Sequence, residues 1–317
     1  MVTATLSYAV AGETRTVSWS WTTVDYISLP TVGFRSDVGT GSDRGFVFRV
    51  HQLEGVRANS TREVEAQLAG ERGENFADNF GGGKDSTDPN RPGVIFELDG
   101  VINFDQNAGA VGVFRERGDG SLIDRADDFI PGIPGIDGST DNIGAEILTY
   151  IEFPEPGFYR MIFNSDDGFR VTLGHEPSLE GIELGVFNGG RGAADTLFGF
   201  GVKKAGVYPV RAIWYEGGGG ANLEWSTSDG NNRVLINDPE GGLKAFRGRS
   251  GEIDDEEDLP EPGMINSISV VGENVVIEYT GTLSSSAVVD GAFAPVAGAS
   301  SPYTVSPSQA SEFFIAQ

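Results

Sequence analysis

Five short runs of β-branched and aromatic residues follow one another in the middle of the chain, and turn-forming residues separate each run from the next. Short strands bounded by turns are typical of antiparallel sheets, whereas parallel sheets alternate their strands with long helices. The pattern therefore predicts an all-β protein, built as an antiparallel β-sandwich or barrel. The predicted strands are residues 145–153, 157–163, 169–173, 206–215 and 221–227.

One segment departs from this pattern, and residues 60–68 predict a single inserted helix. Ser60 and Glu63 have the spacing of a capping box, in which each side chain bonds a backbone amide at the start of the helix. Val64 and Leu68 lie one turn apart on the face that we expect to be buried. Further strands are predicted at 45–50, 94–98 and 101–104, with long polar loops at 81–93 and 105–142.

The two ends of the chain differ from its middle. Residues 1–30 predict two or three strands, and their Trp-Ser-Trp between alternating threonines resembles the closing strands of immunoglobulin-like or fibronectin-like repeats. We therefore expect part of an immunoglobulin-like domain there, followed by a main domain at 31–250. Residues 251–263 are acidic and contain proline, which indicates a linker. Residues 264–317 then predict a small β-sandwich module.

The charge of the chain excludes several classes of partner. Its formal net charge is −25, and such a surface repels nucleic acid phosphates and anionic lipids, so we expect neither nucleic acid binding nor membrane insertion. Excess carboxylate serves solubility, and it also serves the binding of divalent cations such as calcium. With no cysteine in the chain, disulfide scaffolds, cysteine-ligated zinc and thiol catalysis are excluded.

Nothing in the sequence indicates an enzyme. The two histidines, His51 and His175, stand outside any catalytic motif, and the chain has no nucleophile elbow, no zinc-protease motif and no phosphate-binding loop. The glycines at 217–220 join two predicted strands and lack the lysine and helix that follow a phosphate loop. We therefore expect a binding protein.

Two adjacent carboxylates, Asp166 and Asp167, stand between two predicted strands and are followed by glycine. Negative charge concentrated on a tight backbone costs stability unless a cation or hydrogen-bond donors neutralise it. Calcium is the hard cation that clustered oxygen ligands prefer. Asp-Asp-Gly is also a common turn, so the residues alone leave a turn and a calcium site as alternatives.

The segment that contains this pair resembles a known family. Residues 155–171, EPGFYRMIFNSDDGFRV, resemble the central signature of the protective-antigen domain family, and residues 205–225 resemble its closing hairpin. Residues 101–105, VINFD, resemble an early strand of the same domain. The resemblance covers about residues 44–239. It implies a β-sandwich of the kind found in adhesins, flocculins, toxins and inserted modules of glycosidases.

The resemblance also implies a site. In sugar-binding members of the family, paired aspartates joined by a cis peptide hold a calcium ion that bridges to sugar hydroxyls. By position these are Asp166 and Asp167, and a second loop at 216–222 adds oxygens from Glu216 and Asn222. The implied ligand-binding residues are Asp166, Asp167, Asn164 and Asn222. The sequence departs from the family at 174–177 and 187–190, where an aspartate-glycine and a tryptophan often stand.

Two functions follow from these observations. The first is calcium-assisted binding of a polysaccharide or glycan by a secreted or cell-surface adhesin. The alternative is structural: a subunit of a surface layer or extracellular filament, in which identical subunits assemble by β-strand addition through unpaired strand edges.

Overall fold

The computed structural model of the chain describes residues 2–10, 13–21, 26–55, 59–106, 111–116, 125–178, 181–255, 264–272, 274–287, 293–306 and 313–316. The chain divides into two compact units, residues 1–255 and 256–317. The boundary falls inside the acidic segment that the sequence indicates as a linker. Asp254, in the same segment, belongs to the first unit and forms an ion pair with Arg35 at 2.9 Å.

The first unit contains seventeen strands and one helix among its described residues. In chain order they are β1 (Val2–Val10), β2 (Glu13–Trp21), β3 (Ser28–Leu29), β4 (Gly41–Arg44), β5 (Phe46–Gln52), α1 (Thr61–Leu68), β6 (Lys84–Asp85), β7 (Val94–Leu98), β8 (Asn103–Asp105), β9 (Ile143–Phe153), β10 (Gly157–Asp166), β11 (Gly168–Leu173), β12 (Glu183–Phe187), β13 (Ala194–Val202), β14 (Gly206–Glu216), β15 (Asn222–Ser228), β16 (Arg233–Leu235) and β17 (Ala245–Arg249).

Most of these strands form two sheets that face each other. The six-stranded sheet has the order β16-β15-β10-β13-β3, with β8 also paired to β15, and the nine-stranded sheet has the order β12-β11-β14-β9-β5-β7-β6, with β17 joining β9 to β4. Apart from the parallel pair β13–β3, these pairings are antiparallel. The all-β, antiparallel sandwich predicted from the sequence is confirmed. Strands β1 and β2 form a two-stranded sheet of their own.

The core of the first unit lies between the two sheets. Alternate side chains of each strand enter it, as the two-residue period of a strand requires. In β15, Leu223 and Trp225 face the core and are fully buried. The intervening Asn222, Glu224 and Ser226 point to the opposite face and are equally buried. The outer face of the six-stranded sheet is therefore covered at this point, and what covers it bears on function.

Helix α1 packs on the outer face of the nine-stranded sheet. It begins after Ser60, whose hydroxyl accepts a hydrogen bond from the amide of Glu63, as the capping spacing predicts. Val64 and Leu68 are buried against Ile213 and Tyr215 of β14. The predicted helix is confirmed, and its N-terminal end brings the residue before the cap, Asn59, to the tip of the sandwich.

A buried ionic cluster lies on the same face as the helix. Glu146 of β9 is 1% exposed and pairs with Arg49 at 2.9 Å, with Arg91 at 2.9 Å and with Arg211 at 2.6 Å. Arg211 also binds Glu65 of the helix at 2.6 Å. Burial alone would raise the pKa of Glu146, but the three guanidinium groups lower it to about 2. The cluster joins the helix to the sheet through charge as well as through packing.

Strands β12 and β13 were not predicted from the sequence, whereas the five central predicted strands correspond to β9, β10, β11, β14 and β15. Strand β13 contains Gly199 and Gly201, which resemble turn residues when the sequence is taken alone. In the structure a Cβ at Gly199 would lie 2.5 Å from the ring of Phe158, and one at Gly201 would lie 2.8 Å from the ring of Tyr26. The glycines are required because aromatic rings lie directly on this strand.

The second unit is a small all-β body. Its strands are β18 (Met264–Val271), β19 (Asn274–Thr280), β20 (Leu283–Ser286), β21 (Ala294–Pro295), β22 (Tyr303–Val305) and β23 (Phe313–Ala316). They form two three-stranded sheets, β18-β19-β22 and β21-β20-β23, around Ile277, Tyr279 and Leu283. The assignment of the N-terminal and C-terminal segments to immunoglobulin-like or fibronectin-like repeats stays a prediction.

Candidate functional site

The predicted aspartate pair lies where the chain crosses from one sheet to the other. Strand β10 of the six-stranded sheet ends at Asp166, and β11 of the nine-stranded sheet begins at Gly168. The peptide bond between Asp166 and Asp167 is cis, as the family resemblance implies. Both carboxylates therefore stand at one end of the sandwich, among the loops that connect its strands.

The carboxylate of Asp167 is held by donors from three separate loops. Its Oδ1 accepts a hydrogen bond from the backbone amide of Arg191 at 2.7 Å, and its Oδ2 accepts one from the amide of Gly217 at 3.0 Å. The side-chain amide of Asn59 donates to the same Oδ2. With only 7% of the residue exposed, Asp167 is fixed in position and in orientation.

The carboxylate of Asp166 is much less compensated. Burial and the adjacent charge of Asp167 raise the pKa of Asp166 to about 6, although the nearby Arg191 guanidinium and the amide of Ala193 act to lower it. Its backbone oxygen accepts a hydrogen bond from the indole of Trp214 at 3.1 Å. The side chain itself carries a negative charge for which the surroundings supply too little positive charge.

The guanidinium of Arg191 contacts the pair through the backbone oxygen of Asp167, to which it donates at 3.3 Å, and not through a carboxylate. It donates to the backbone oxygen of Ser165 at 3.0 Å, to the hydroxyl of Ser165 at 2.8 Å and to the hydroxyl of Thr196 at 2.8 Å. It also packs over the ring of Phe187, 4.1 Å from its centre. Among the residues that the structure describes, neither aspartate forms an ion pair with a lysine or arginine side chain.

Asn222 stands directly beside this charge. It is paired with Asp166 in the register of β10 and β15, and it is fully buried. Its amide nitrogen donates to the backbone oxygen of Phe104 at 3.2 Å, while its side-chain oxygen has no hydrogen-bond partner in the described part of the chain. A buried oxygen without a donor costs free energy unless a cation or water satisfies it.

The glycine-rich loop after β14 closes the other side of the pair. Gly217 donates to Asp167, and a Cβ at Gly220 would lie 3.4 Å from Oδ2 of Asp166. Glu216, the residue before this loop, is fully buried at the end of β14. The loop leaves the approach to Asp166 free of side chains over four consecutive positions, so a ligand can come close to the backbone.

The structure brings together only part of the predicted site. Asp166, Asp167 and Asn222 are adjacent. Asn164 comes two residues before Asp166 in β10, and its side-chain amide donates to Asp195 at 2.7 Å. Sequence reasoning did not identify Asn59 and Arg191 as site residues. They are 108 and 24 residues away from Asp167 in sequence, and no local motif links them to it.

The donor set is one of oxygens. Among the described residues, no three side chains of histidine, aspartate or glutamate converge on one point. The oxygens available as metal ligands are those of the Asp166 carboxylate, whose negative charge is poorly compensated, and the Asn222 amide oxygen, which has no hydrogen-bond partner among the described residues; both lie next to the fixed Asp167. Hard oxygen ligands fit calcium, which takes six to eight of them. A cation held here would keep much of its coordination for water, backbone oxygens or a ligand.

The fold and the site define a β-sandwich module with an acidic tip. Residues 109–238 match the model of the PA14 domain, the protective-antigen domain. The predicted resemblance is thereby supported over this range. No curated protein matches the chain.

Several solved structures are similar to this chain. They include the PA14 domain of the MpAFP antifreeze protein (15% identity, TM-score 0.41, 67% of this chain and 96% of that one) and the PA14 sugar-binding domain from an RTX adhesin (18%, 0.37, 62% and 96%). A third is the epithelial adhesin 9 A domain from Candida glabrata, in complex with Galβ1-4GlcNAc (14%, 0.44, 74% and 99%).

Within the described ranges, no helix has both the length and the apolar character that crossing a bilayer requires.

Proposed function

We propose that the tip formed by Asp166, Asp167 and Asn222 binds a glycan with the assistance of a calcium ion, as part of a secreted or cell-surface adhesin. The observation that carries the proposal is the pairing of an under-neutralised carboxylate, Asp166, with a buried amide oxygen that lacks a donor, Asn222. A divalent cation would satisfy both groups, because it supplies positive charge to the Asp166 carboxylate and coordinates the Asn222 oxygen.

The residues of the tip have separate roles in this proposal. Asp167 orients the pair, since three donors from three loops hold its carboxylate. Asp166 and Asn222 supply oxygens, and the glycines at 217–220 leave room for the ligand. The ion, when bound, offers coordination positions to adjacent hydroxyls of a sugar. In this arrangement the tip supplies orientation and charge for recognition.

Binding is favoured over catalysis. Glycoside hydrolysis uses two carboxylates on either side of the scissile bond, one of which transfers a proton. Here one member of the pair, Asp167, already accepts hydrogen bonds on both oxygens and is buried. That carboxylate is a fixed structural anion, so the pair has the character of a binding site.

The test is a glycan array followed by titration of each hit, in calcium and in chelator. We expect binding that needs calcium, and at least about tenfold weaker binding by Asp166→Asn and Asp167→Ala, which corresponds to about 1.4 kcal/mol. Asp85→Asn, in the exposed two-residue edge strand β6, is the matched control and should bind as the wild type does. Equal binding in calcium and in chelator would refute the proposal.

The structural alternative rests on a different part of the chain. Strands β1 and β2 pair over nine residues in a sheet of only two strands, whose outer edges are open to strand addition within the described sheets. The edge strands of the two large sheets are short, from two to five residues, which disfavours addition there. Size-exclusion chromatography across a range of concentrations tests this alternative, and a monomer throughout would refute it.

A further inference from the structure

A second group of buried acceptors lies on the outer face of the six-stranded sheet. Asn103 and Asp105 of β8 stand opposite Glu224 and Asn222 of β15. Directly opposite residues in antiparallel strands point to the same face, so the four side chains form one patch. Each is at most 4% exposed. Asn222 occupies the position between Asp105 and Asp166, so the patch adjoins the tip without including the aspartate pair.

Two segments of the long loop between β8 and β9 cover this patch. The amides of Val113 and Phe114 donate to Oε1 of Glu224 at 2.7 and 3.0 Å. Gly112 has a φ of +81° and lies so close to Glu224 that a side chain would not fit there. The backbone of Asp128 pairs with β8 through hydrogen bonds to Asn103 and Asp105 at 3.0 and 3.1 Å.

This pairing buries Asp127 within the loop segments that cover the patch. The residue is 6% exposed, and neither of its carboxylate oxygens has a hydrogen bond of ordinary geometry in the described part of the chain. Burial, together with the charges of Asp105 and Glu224, raises its pKa to about 7, against opposing effects of Asn103 and Arg115. Asp127 is therefore surrounded mainly by other acceptors.

The other members of the patch differ in how well they are satisfied. Glu224 has two amide donors, and its Oε2 lies 3.3 Å from Arg233. Asn103 uses its amide nitrogen to donate to Ala126 at 3.2 Å, and its side-chain oxygen is buried without a partner among the described residues. The side-chain oxygen of Asn103 and the carboxylates of Asp105 and Glu224 thus lie near Asp127, in a buried region from which water is largely excluded.

We propose that Asp105, Asp127 and the side-chain oxygen of Asn103 hold a second divalent cation, of the calcium class, which fastens residues 125–128 to the sheet. Its ligands would all be hard oxygens, the donor type that calcium prefers. Only two carboxylates take part, so backbone oxygens or water complete the coordination. The alternative to a bound cation is a proton shared by Asp105 and Asp127. That proton would neutralise one of the two charges, and the side-chain oxygen of Asn103 would depend on the same proton for a hydrogen bond.

The number of bound calcium ions distinguishes the second site from the site at the tip. In equilibrium dialysis at about pH 8, where free carboxyl groups are ionised, we expect two calcium ions per wild-type chain. Asp127→Asn should keep one, Asp167→Asn should keep the other, and Asp128→Asn, an exposed neighbour, should keep both. Two ions retained by Asp127→Asn would overturn the second site. A single ion lost only with Asp127→Asn would overturn calcium at the tip and leave the second site standing.

Melting curves distinguish a cation ligand from a carboxyl group that is merely structural. In chelator, Asp127→Asn should melt at or above the wild-type midpoint, because it removes an uncompensated buried charge while keeping the side-chain volume. In calcium, the wild type should gain more in midpoint than this variant. Equal gains for both proteins, or a lower midpoint for the variant in chelator, would show that Asp127 holds no cation and would overturn the proposal.

Discussion

Asn222 lies directly opposite Asp166, in the register that joins β15 to β10, and its side-chain oxygen lacks a donor among the described residues. An acidic side chain and an empty acceptor thus stand side by side at the end of a sheet. Within the described chain the Asn222 oxygen receives no hydrogen bond, and the Asp166 carboxylate receives one from the amide of Ala193. This arrangement costs free energy in the absence of a ligand, and a bound cation, as proposed above, would offset that cost.

The first prediction concerns this asparagine. Asn222→Leu keeps a similar volume and removes the amide oxygen, so calcium affinity at the tip should fall by about tenfold, or about 1.4 kcal/mol. Asn222→Asp should instead raise the calcium affinity, because it adds a third carboxylate near Asp166 and Asp105. Calorimetric titration with calcium measures both. Unchanged affinity in the leucine variant would remove Asn222 from the site.

The second prediction is a pH dependence. Burial and the charge of Asp167 raise the pKa of Asp166 from its ordinary value of 3.8 to about 6. Between these two values the folded chain without calcium therefore binds more protons than the unfolded chain. Its free energy of unfolding in chelator should therefore fall as the pH rises from about 4 to about 6. Asp127 and Glu224, both raised to about 7, extend this fall in the same direction.

Calcium affinity should show the reverse trend, because the cation competes with protons for the same oxygens. Affinity should rise as the pH rises through about 6 and level off above about 7. Chemical denaturation in chelator and calcium titration, each repeated across this range, measure the two trends. A stability in chelator that climbs over the same interval would contradict the assignment.

The third prediction uses two neighbouring glycines. A Cβ at Gly217 would lie 2.3 Å from the side-chain oxygen of Asn59, so Gly217→Ala should displace Asn59 from Asp167 and weaken glycan binding several-fold without unfolding the chain. A Cβ at Gly218 would find its nearest neighbour, Asp141, 3.8 Å away, so Gly218→Ala is the matched control. Circular dichroism verifies folding, and glycan titration compares the two variants. Equal binding by both would mean that Asn59 does not support the site.

The fourth prediction concerns the buried ionic cluster. Glu146→Gln leaves Arg49, Arg91 and Arg211 without their shared anion, and the free energy of unfolding should fall by about 3 kcal/mol. Glu97→Gln, whose side chain is 64% exposed and 4.0 Å from Arg247, should cost less than about 1 kcal/mol. Urea denaturation measures both. Similar losses in the two variants would mean that the buried cluster contributes no more than a surface pair.

The same glutamate predicts acid sensitivity. The three guanidinium groups outweigh the effect of burial and lower the pKa of Glu146 from 4.5 to about 2. Its contribution to stability is therefore complete above about pH 4.5 and is lost as the pH falls towards 2. Glu146→Gln should accordingly show a weaker loss of stability over this interval than the wild type.

The sequence predicted the sandwich well, because its strand pattern reflects local chemistry. The five central predicted strands were recovered to within two residues at most ends, and the capping residue of the helix was identified from a three-residue spacing. Asp166 and Asp167 were found because they are adjacent in the chain and carry an improbable charge for a strand end.

What could not be predicted depends on contacts between distant parts of the chain. Strand β13 was hidden because Gly199 and Gly201 look like turn residues until the rings of Phe158 and Tyr26 are placed over them. Asn59 and Arg191 acquire their roles only when loops fold onto Asp167. Asp105 and Asp127 come together through strand register and a loop pairing, neither of which a linear pattern encodes.

The hydrogen bonds to Asp167 also make the proposed site depend on the complete fold of the first unit. The three donors belong to Asn59, Arg191 and Gly217, which lie 108, 24 and 50 residues away from Asp167 in sequence. In a partly folded chain these donors would not be gathered around Asp167, and its carboxylate would not be fixed in orientation. If the proposed glycan binding holds, capture on an immobilised ligand would therefore report the native protein in a mixed preparation.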